Sequence, residues 1–282
     1  MNASSKPKAP TLKDWLSSAQ SRLTTAGISS ARLDAELILS SALGRSRTWL
    51  LTHDDLPLAT PPSTSANDAL ERRLKHEPLA YIFGHREFYG REFKVTPDVL
   101  VPRPDTEIMI DLLTGLMDST DSSGEPLTLI DVGTGSGAIA ITAKLEFPYL
   151  DVIASDISPA ALKVASNNAK RLKADIELIE SDLLTGIQRP ASIICANLPY
   201  VDEAWQTSPE TRFEPDLALF AADGGLKLIK QLLLQAAERQ TSGSFLLLEA
   251  DPRQHDDIIQ LSRQYNYNWH ETREFIVILE KN

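Results

Sequence analysis

The chain has 282 residues, of which 42% are hydrophobic and 24% charged, and its formal net charge at pH 7 is −11. This composition is ordinary for a soluble globular protein, and the acidic charge disfavours a partner bound through nucleic-acid phosphates. A single cysteine excludes an internal disulfide, and no apolar run is long enough to span a membrane. The N-terminus lacks the apolar core of a signal peptide, so we expect a cytoplasmic protein.

The first 77 residues are predicted to form a small helical bundle. Thr11 and Asp14 match a capping box, and apolar residues follow at helical spacing as far as Gly27. A stretch rich in Pro, Ser and Thr at 54–65 predicts a loop. Because no cluster of catalytic residue types occurs in this region, we expect it to carry no chemistry. The predicted helices span residues 11–27, 30–44, 46–51 and 65–76.

Residues 78–100 are predicted to form a linker that contains a β-hairpin, since aromatic residues flank Gly90 and Arg91. The segment that follows, Val101 to Glu107, places Arg103 between two prolines immediately before a helix. Arg103 at a stiffened helix start suits a substrate-binding role. An ordinary capped helix explains the same residues equally well.

The remainder of the chain, 101–282, alternates strands with helices, which predicts a doubly wound, mostly parallel sheet with helices on both faces. Strands are predicted at 127–132, 151–155, 176–180, 192–196, 245–249 and 275–280. Helices are predicted at 138–146, 159–172, 226–239 and about 254–265.

A strand, a glycine loop and a helix follow one another from Leu129 to Ala140, and this arrangement predicts a ligand site. Its Gly-x-Gly-x-Gly spacing differs from the dinucleotide-binding pattern. The lysine of a phosphate-binding loop does not follow it, so a nucleoside triphosphate is disfavoured as ligand. Asp156 ends the next strand, where a carboxylate can accept both hydroxyls of a ribose. Asp182 follows the third strand and is placed to reach an adenine amino group, while Leu183 can pack on the base. Asp131, before the loop, suits a cofactor with positive charge.

These features together form the pattern of S-adenosylmethionine-dependent methyltransferases with a Rossmann-like fold. A tight strand-to-helix turn without a ligand is the alternative that a glycine loop alone would leave open. The predicted cofactor-binding residues are Gly133, Thr134, Gly135, Ser136, Gly137, Asp156, Asp182, Leu183 and Asn197.

The segment Asn197-Leu198-Pro199-Tyr200 follows a short apolar run that is typical of a buried parallel strand. Pro199 must end the strand, so Asn197 lies at its carboxyl end, where ligands bind in open α/β sheets. We predict Asn197, Pro199 and Tyr200 as catalytic residues: Asn197 and a neighbouring carbonyl hold a planar nitrogen, and Tyr200 stacks on it. The predicted substrate-binding residues are Arg103, Asn197, Leu198, Pro199 and Tyr200.

With these residues, the chain resembles the bacterial peptide chain release factor glutamine methyltransferases. Further stretches carry the resemblance: Glu77 to Gly84, Glu87 to Gly90, Val101 to Glu107, Phe213 to Leu219 and Asp223 to Gly225. The resemblance implies a seven-stranded sheet and an N-terminal domain that recognises the release factor. It also implies methylation of the side-chain amide nitrogen of the glutamine in the Gly-Gly-Gln motif, with S-adenosylhomocysteine as product. We expect a monomer without a metal ion.

One departure concerns the acceptor. The family usually has a proline where this chain has Leu198, and Asn-Leu-Pro-Tyr is similar to the motif of adenine dimethyltransferases that act on ribosomal RNA. An adenine-N6 methyltransferase acting on RNA or DNA is therefore the alternative function. A binding module that retains cofactor affinity without catalysis is a third.

Overall fold

A computed structural model of the chain describes residues 10–119 and 127–282. The N-terminal positions in which we expected no signal sequence lie outside these residues, except Pro10. The chain divides into two compact units, Met1–Phe83 and Gly84–Asn282. Within the described ranges, no helix has both the length and the apolar character that crossing a membrane requires.

The first unit is helical and has its own hydrophobic core, to which Leu23, Leu39 and Leu50 contribute fully buried side chains. The predicted capping box is present, because Thr11 Oγ1 accepts from the Asp14 backbone N–H at 3.1 Å. The fourth helix begins five residues before its predicted start, with proline in its first turn. Its helices are α1 (Leu12–Thr25), α2 (Ala31–Leu43), α3 (Arg47–Thr52), α4 (Thr60–Arg73) and α5 (Leu79–Phe83).

The predicted hairpin belongs to the second unit and consists of β1 (His85–Phe88) and β2 (Arg91–Lys94). Phe88 and Phe93 are fully buried and meet edge to face in the main core of this unit. A short 3₁₀ turn over Pro104–Thr106 then leads directly into α6 (Glu107–Ser119). The hairpin therefore packs as part of the core beside the proline-rich segment.

A seven-stranded sheet forms the centre of the second unit, which confirms the predicted doubly wound α/β class and the strand number that the resemblance implied. Its spatial order is β5-β4-β3-β6-β7-β9-β8, with β9 antiparallel to β7 and β8. The strands are β3 (Thr128–Val132), β4 (Asp151–Asp156), β5 (Glu177–Glu180), β6 (Ile193–Ala196), β7 (Phe245–Glu249), β8 (Tyr267–Arg273) and β9 (Ile276–Lys281). The remaining helices are α7 (Ala138–Glu146), α8 (Pro159–Leu172), α9 (Asp216–Leu219), α10 (Lys227–Arg239) and α11 (His255–Ser262).

Alternate residues of the parallel strands divide between two core clusters, as expected for a sheet covered on both faces. Leu129 and Ile193 belong to one cluster, and Ile130 and Ile194 to the other. The strand order reverses between β3 and β6, which are hydrogen-bonded neighbours. Such a reversal opens a crevice at the carboxyl ends of the strands, and this is where ligands bind in open α/β sheets.

Candidate active site

A cavity lies at the carboxyl ends of the central strands and brings together most of the predicted site residues. The glycine loop follows β3, Asp156 ends β4, and the Asn197 segment follows β6. The predicted residues that line it are Arg103, Gly133, Thr134, Gly135, Ser136, Asp156, Asp182, Leu183, Asn197, Leu198 and Pro199. Gly137 and Tyr200 were also predicted, but they are not among the lining residues.

The glycine loop takes its shape from backbone conformations that other residues rarely adopt. Gly133, Gly135 and Gly137 all have positive φ, at 75°, 54° and 83°. A Cβ at Gly133 would lie 3.0 Å from the Leu198 side chain, so the loop packs closely against the Asn197 segment. A Cβ at Gly137 would lie 2.7 Å from Ile141 Cδ1. Gly137 therefore allows α7 to pack closely, whereas Gly133 and Gly135 form the cavity wall.

Asp131, on β3 before the loop, is fully buried. Its Oδ2 atom accepts from Thr134 Oγ1 at 2.6 Å and from the Ala140 backbone N–H at 3.1 Å. Its Oδ1 atom is buried and has no hydrogen-bond partner among the described residues. Burial raises the pKa of this carboxyl to about 7. Asp131 is not among the residues that line the cavity, so its charge would act on a cationic ligand from behind the loop.

Asp156 holds the loop and the start of α8 in position. Its Oδ2 atom accepts from the Gly135 backbone N–H and its Oδ1 atom from the Ser158 backbone N–H, both at 2.9 Å. Burial raises the pKa of this carboxyl. Each oxygen has a further lone pair, so the fixed carboxylate can still accept from two hydroxyls of a ligand. Further along the cavity wall, Asp182 is exposed and Leu183 is buried.

Asn197 projects from the end of β6, beside the turn that precedes α6. Its Nδ2 atom donates to Thr106 Oγ1 at 3.1 Å, which leaves the Oδ1 atom to accept from a ligand. Thr106 itself is buried and lines the same cavity. No local pattern in the sequence indicates this contact, because Thr106 and Asn197 are 91 residues apart along the chain.

Tyr200 lies beside the cavity wall, with its ring partly buried against the second core cluster. Its hydroxyl donates to Glu249 Oε1 at 3.5 Å, and burial raises the pKa of that hydroxyl. Its backbone carbonyl accepts from Gln254 Nε2 at 2.9 Å. The main chain after Pro199 is thus anchored to the segment that follows β7.

Glu249 is a buried carboxylate at the carboxyl end of β7 that sequence reasoning missed. Burial raises the pKa of its carboxyl to about 7, and the neighbouring Thr106, Asn197 and Tyr200 side chains act in the opposite direction. Its Oε2 atom is buried and has no partner among the described residues. The available sequence signal was one acidic residue ending an apolar strand, which is also how Asp156 ends β4.

Arg103, predicted to bind substrate, lines the cavity and also has a partner in the protein. Its Nη2 atom lies 2.5 Å from Glu214 Oε2, and Glu214 Oε1 accepts from the Val101 backbone N–H at 3.1 Å. Glu214 is buried and belongs to the Phe213 to Leu219 stretch. The ion pair therefore joins the proline-rich segment to that stretch across one side of the cavity.

Two family models match separate parts of the chain. Residues 14–84 match the family model described as PrmC N-terminal domain, and residues 110–249 match the one described as methyltransferase small domain. The second match contains the glycine loop, the Asn197 segment and Glu249.

Curated relatives match across most of the chain. The release factor glutamine methyltransferase of Koribacter versatilis is 39% identical over 260 residues, covering 90% of this chain and 91% of that protein. The protein of the same name from Deinococcus radiodurans is 38% identical and covers 86% of each chain. That of Escherichia coli is 35% identical, covering 83% of this chain and 84% of that protein.

Solved structures share the fold at lower identity. A methyltransferase from Pyrococcus furiosus has a TM-score of 0.53 and 16% identity, covering 77% of this chain and 99% of that one. A 16S rRNA methyltransferase from Thermus thermophilus, in complex with AdoMet and guanosine, has a TM-score of 0.53 and 15% identity. It covers 70% of this chain and 50% of that one.

Proposed function

Since the chain belongs to the family of release factor glutamine methyltransferases, we propose that it methylates the glutamine of the Gly-Gly-Gln motif in a peptide chain release factor. The methyl group would pass from S-adenosylmethionine to the side-chain amide nitrogen. The observation that carries this proposal is the shared cavity, in which the glycine loop and Asp156 lie next to Asn197 and Pro199. A cofactor site and an amide-binding group thus occur at neighbouring strand ends.

The residues of the cavity fit S-adenosylmethionine. Asp156 would accept from the ribose hydroxyls, and Asp182 and Leu183 would bind the adenine. The unpartnered Oδ1 atom of Asp131 would favour the positive charge of the amino group and the sulfonium. A Cβ built at Gly135 would have no other atom within 4 Å, so the cavity has open space beside this residue. When bound, the cofactor would supply an activated methyl group and leave as S-adenosylhomocysteine, and the methylated nitrogen would then lose its extra proton to solvent.

Asn197 would orient the acceptor. An amide nitrogen is a poor nucleophile because its lone pair is delocalised, so catalysis depends on holding it in line with the methyl group. With Nδ2 bonded to Thr106, Asn197 Oδ1 would accept one N–H of the glutamine amide, and the carbonyl of Leu198 or Pro199 would accept the other. These oxygens also stabilise positive charge as it develops on the nitrogen. Stacking of Tyr200 on the amide stays a prediction, since its ring lies beside the cavity wall.

The first unit would serve recognition of the release factor. It contains none of the residues that line the cavity, and residues 14–84 match the PrmC N-terminal domain model. A separate domain that carries no part of the cavity is suited to binding the protein substrate. We further propose that the enzyme acts as a monomer in the cytoplasm without a metal ion.

Methyl transfer from labelled S-adenosylmethionine tests the proposal. Purified release factor, the same factor with its motif glutamine replaced by alanine, and ribosomal RNA would each be offered as acceptor. We expect label only on the intact release factor. Label on RNA alone would instead support the adenine methyltransferase. Cofactor binding without transfer to any acceptor would support a binding module.

A further inference from the structure

The side chain of Asn197 can present either of two faces to the cavity. An amide carries an acceptor oxygen and a donor nitrogen of nearly the same size, and rotation by half a turn exchanges them. Only the oxygen can accept an N–H of a glutamine amide. Catalysis therefore requires a device that keeps the nitrogen of Asn197 turned away from the acceptor.

Thr106 contacts the nitrogen side of this amide, since Asn197 Nδ2 donates to its Oγ1 atom at 3.1 Å. Thr106 ends the short 3₁₀ turn Pro104–Thr106, directly before α6. A hydroxyl both donates and accepts, however, so Thr106 alone would bind either face of the amide. The choice depends on where the hydroxyl proton of Thr106 goes.

Glu249 determines that choice. It lies at the end of β7, next to β6 in the sheet, where Leu248 pairs with Ala196. Glu249 is 2% exposed, the Tyr200 hydroxyl donates to its Oε1 atom at 3.5 Å, and Thr106 and Asn197 are the other side chains that act on its carboxyl. Above its pKa of about 7 this carboxylate can only accept, so the hydroxyl proton of Thr106 would turn toward it. The lone pairs of Thr106 then remain for the N–H of Asn197.

We propose that Thr106 and Glu249 are positioning residues, which fix the Asn197 amide with its oxygen toward the acceptor. The inference rests on the proposed function. It adds two residues that lie outside both the glycine loop and the Asn197 segment. The cost of burying Glu249 is consistent with this role. A carboxyl with an unpartnered buried oxygen weakens the fold, and such groups are characteristic of functional sites.

Three threonine variants test the first part in the full-length protein. Thr106→Val removes the hydroxyl at nearly constant shape, Thr106→Ser retains it, and Thr114→Val removes a hydroxyl that bonds only within α6, to the Ile110 carbonyl. We expect Thr106→Val to lower kcat on release factor about 10- to 100-fold, the range for a misplaced reacting group. Its cofactor affinity, measured by calorimetry, should stay within about twofold. Thr106→Ser should recover most of the lost kcat, and Thr114→Val should leave kcat within about twofold of the wild type.

Glu249→Met tests the second part, because methionine has a side chain of similar length and lacks both acceptor oxygens. If Glu249 acts through Thr106, the double variant Thr106→Val, Glu249→Met should have a kcat close to that of the slower single variant. Losses that multiply would overturn the relay, since the two residues would then act independently. Wild-type kcat in Thr106→Val would overturn the role of Thr106. Both results require an active wild type, whereas no transfer by the wild type would refute the proposed function itself.

Discussion

At the scale of single residues, the orientation of one amide carries the largest share of the proposed catalysis. Asn197 lies at a strand end and is only partly buried, so its side chain contributes little to the core. Asn197→Ala should therefore lower kcat by roughly 10²–10³, the effect of removing one preorganised polar group. Asn197→Asp keeps an acceptor oxygen and loses the donor that Thr106 holds.

Methylation of release factor by these two variants, with thermal melts and cofactor titrations beside it, checks the prediction. The cofactor affinity should change less than the rate, because the acceptor and not the cofactor is misaligned. Wild-type turnover by Asn197→Ala would refute the mechanism, whereas an early melt would show that the residue is needed for folding.

Glu249 makes a separate prediction about stability and pH. Its pKa is raised from 4.5 to about 7 by burial, so the folded protein binds a proton that the unfolded chain has released between these values. The stability that this proton gives is complete below about pH 4.5 and is lost as pH rises toward 7. Glutamine cannot ionise. The free energy of unfolding of Glu249→Gln, taken relative to the wild type, should therefore rise by up to about 3 kcal/mol between pH 4.5 and pH 8.

Denaturant unfolding of both proteins at pH 4.5 and pH 8 measures this difference. Asp131 also has a pKa of about 7, but it is present in both proteins and cancels from the comparison. The same difference in unfolding free energy at both pH values would mean that Glu249 titrates near its ordinary value. A more stable variant with slower turnover would show that the buried carboxylate is kept for function.

At the scale of elements, the turn before α10 fixes the main chain of the catalytic segment. Gln254 Nε2 donates both to the Tyr200 carbonyl at 2.9 Å and to the Gly224 carbonyl at 2.7 Å. A Cβ at Gly225 would lie 1.9 Å from the Tyr200 carbonyl oxygen and 2.4 Å from Gln254 Nε2. The glycine pair therefore allows the loop before α10 to pack closely against the segment after β6 and against Gln254.

Gly224 and Gly225 form a matched pair for a test of this contact. Both have positive φ, at 65° and 81°, but a Cβ at Gly224 would meet no atom within 4 Å. Gly224→Ala should cost only the left-handed backbone strain, about 1–2 kcal/mol of unfolding free energy. Gly225→Ala adds a backbone clash, so it should cost more and should also lower kcat by displacing Tyr200. Equal losses of stability in the two variants would contradict this assignment.

The elements that sequence predicted well are those whose signals are local. The cap of α1, the bounds of α8 and the apolar runs of β3, β6 and β7 depend on neighbouring residues, and all appear near their predicted positions. Strand β8 was missed because only Tyr267 in it is buried, so an edge strand rich in polar residues shows no alternation. The loop rich in Pro, Ser and Thr was extended too far, since proline is accepted in the first turn of α4.

In the candidate site, too, the residues with local sequence signals are predictable and the contacts between distant residues are not. The glycine loop, Asp156 and Asn197 are predictable because each follows a strand at a known distance. The partners of Arg103 and Asn197 are not, since Glu214 and Thr106 lie 111 and 91 residues away along the chain. Contacts of this kind arise only when the strand order brings separate ends together.

At the scale of the whole molecule, the chain consists of two units with separate hydrophobic cores. One core lies within the first unit, and the two clusters that sandwich the sheet lie within the second. Because the second unit has a complete core and contains the entire cavity, removal of residues 1–83 should leave it folded and able to bind S-adenosylmethionine. Loss of the docking surface should raise KM for the release factor.

A comparison of two acceptors separates docking from catalysis in this truncation. Full-length release factor offers both the glutamine and a docking surface, whereas a short peptide containing Gly-Gly-Gln offers only the glutamine. We expect the truncated protein to lose about 10-fold or more in kcat/KM on the release factor, which corresponds to about 1.4 kcal/mol of binding. Its kcat/KM on the peptide should match that of the intact chain. Equal losses on both acceptors, together with a lowered melting temperature, would show that the first unit stabilises the second and does not recognise the substrate.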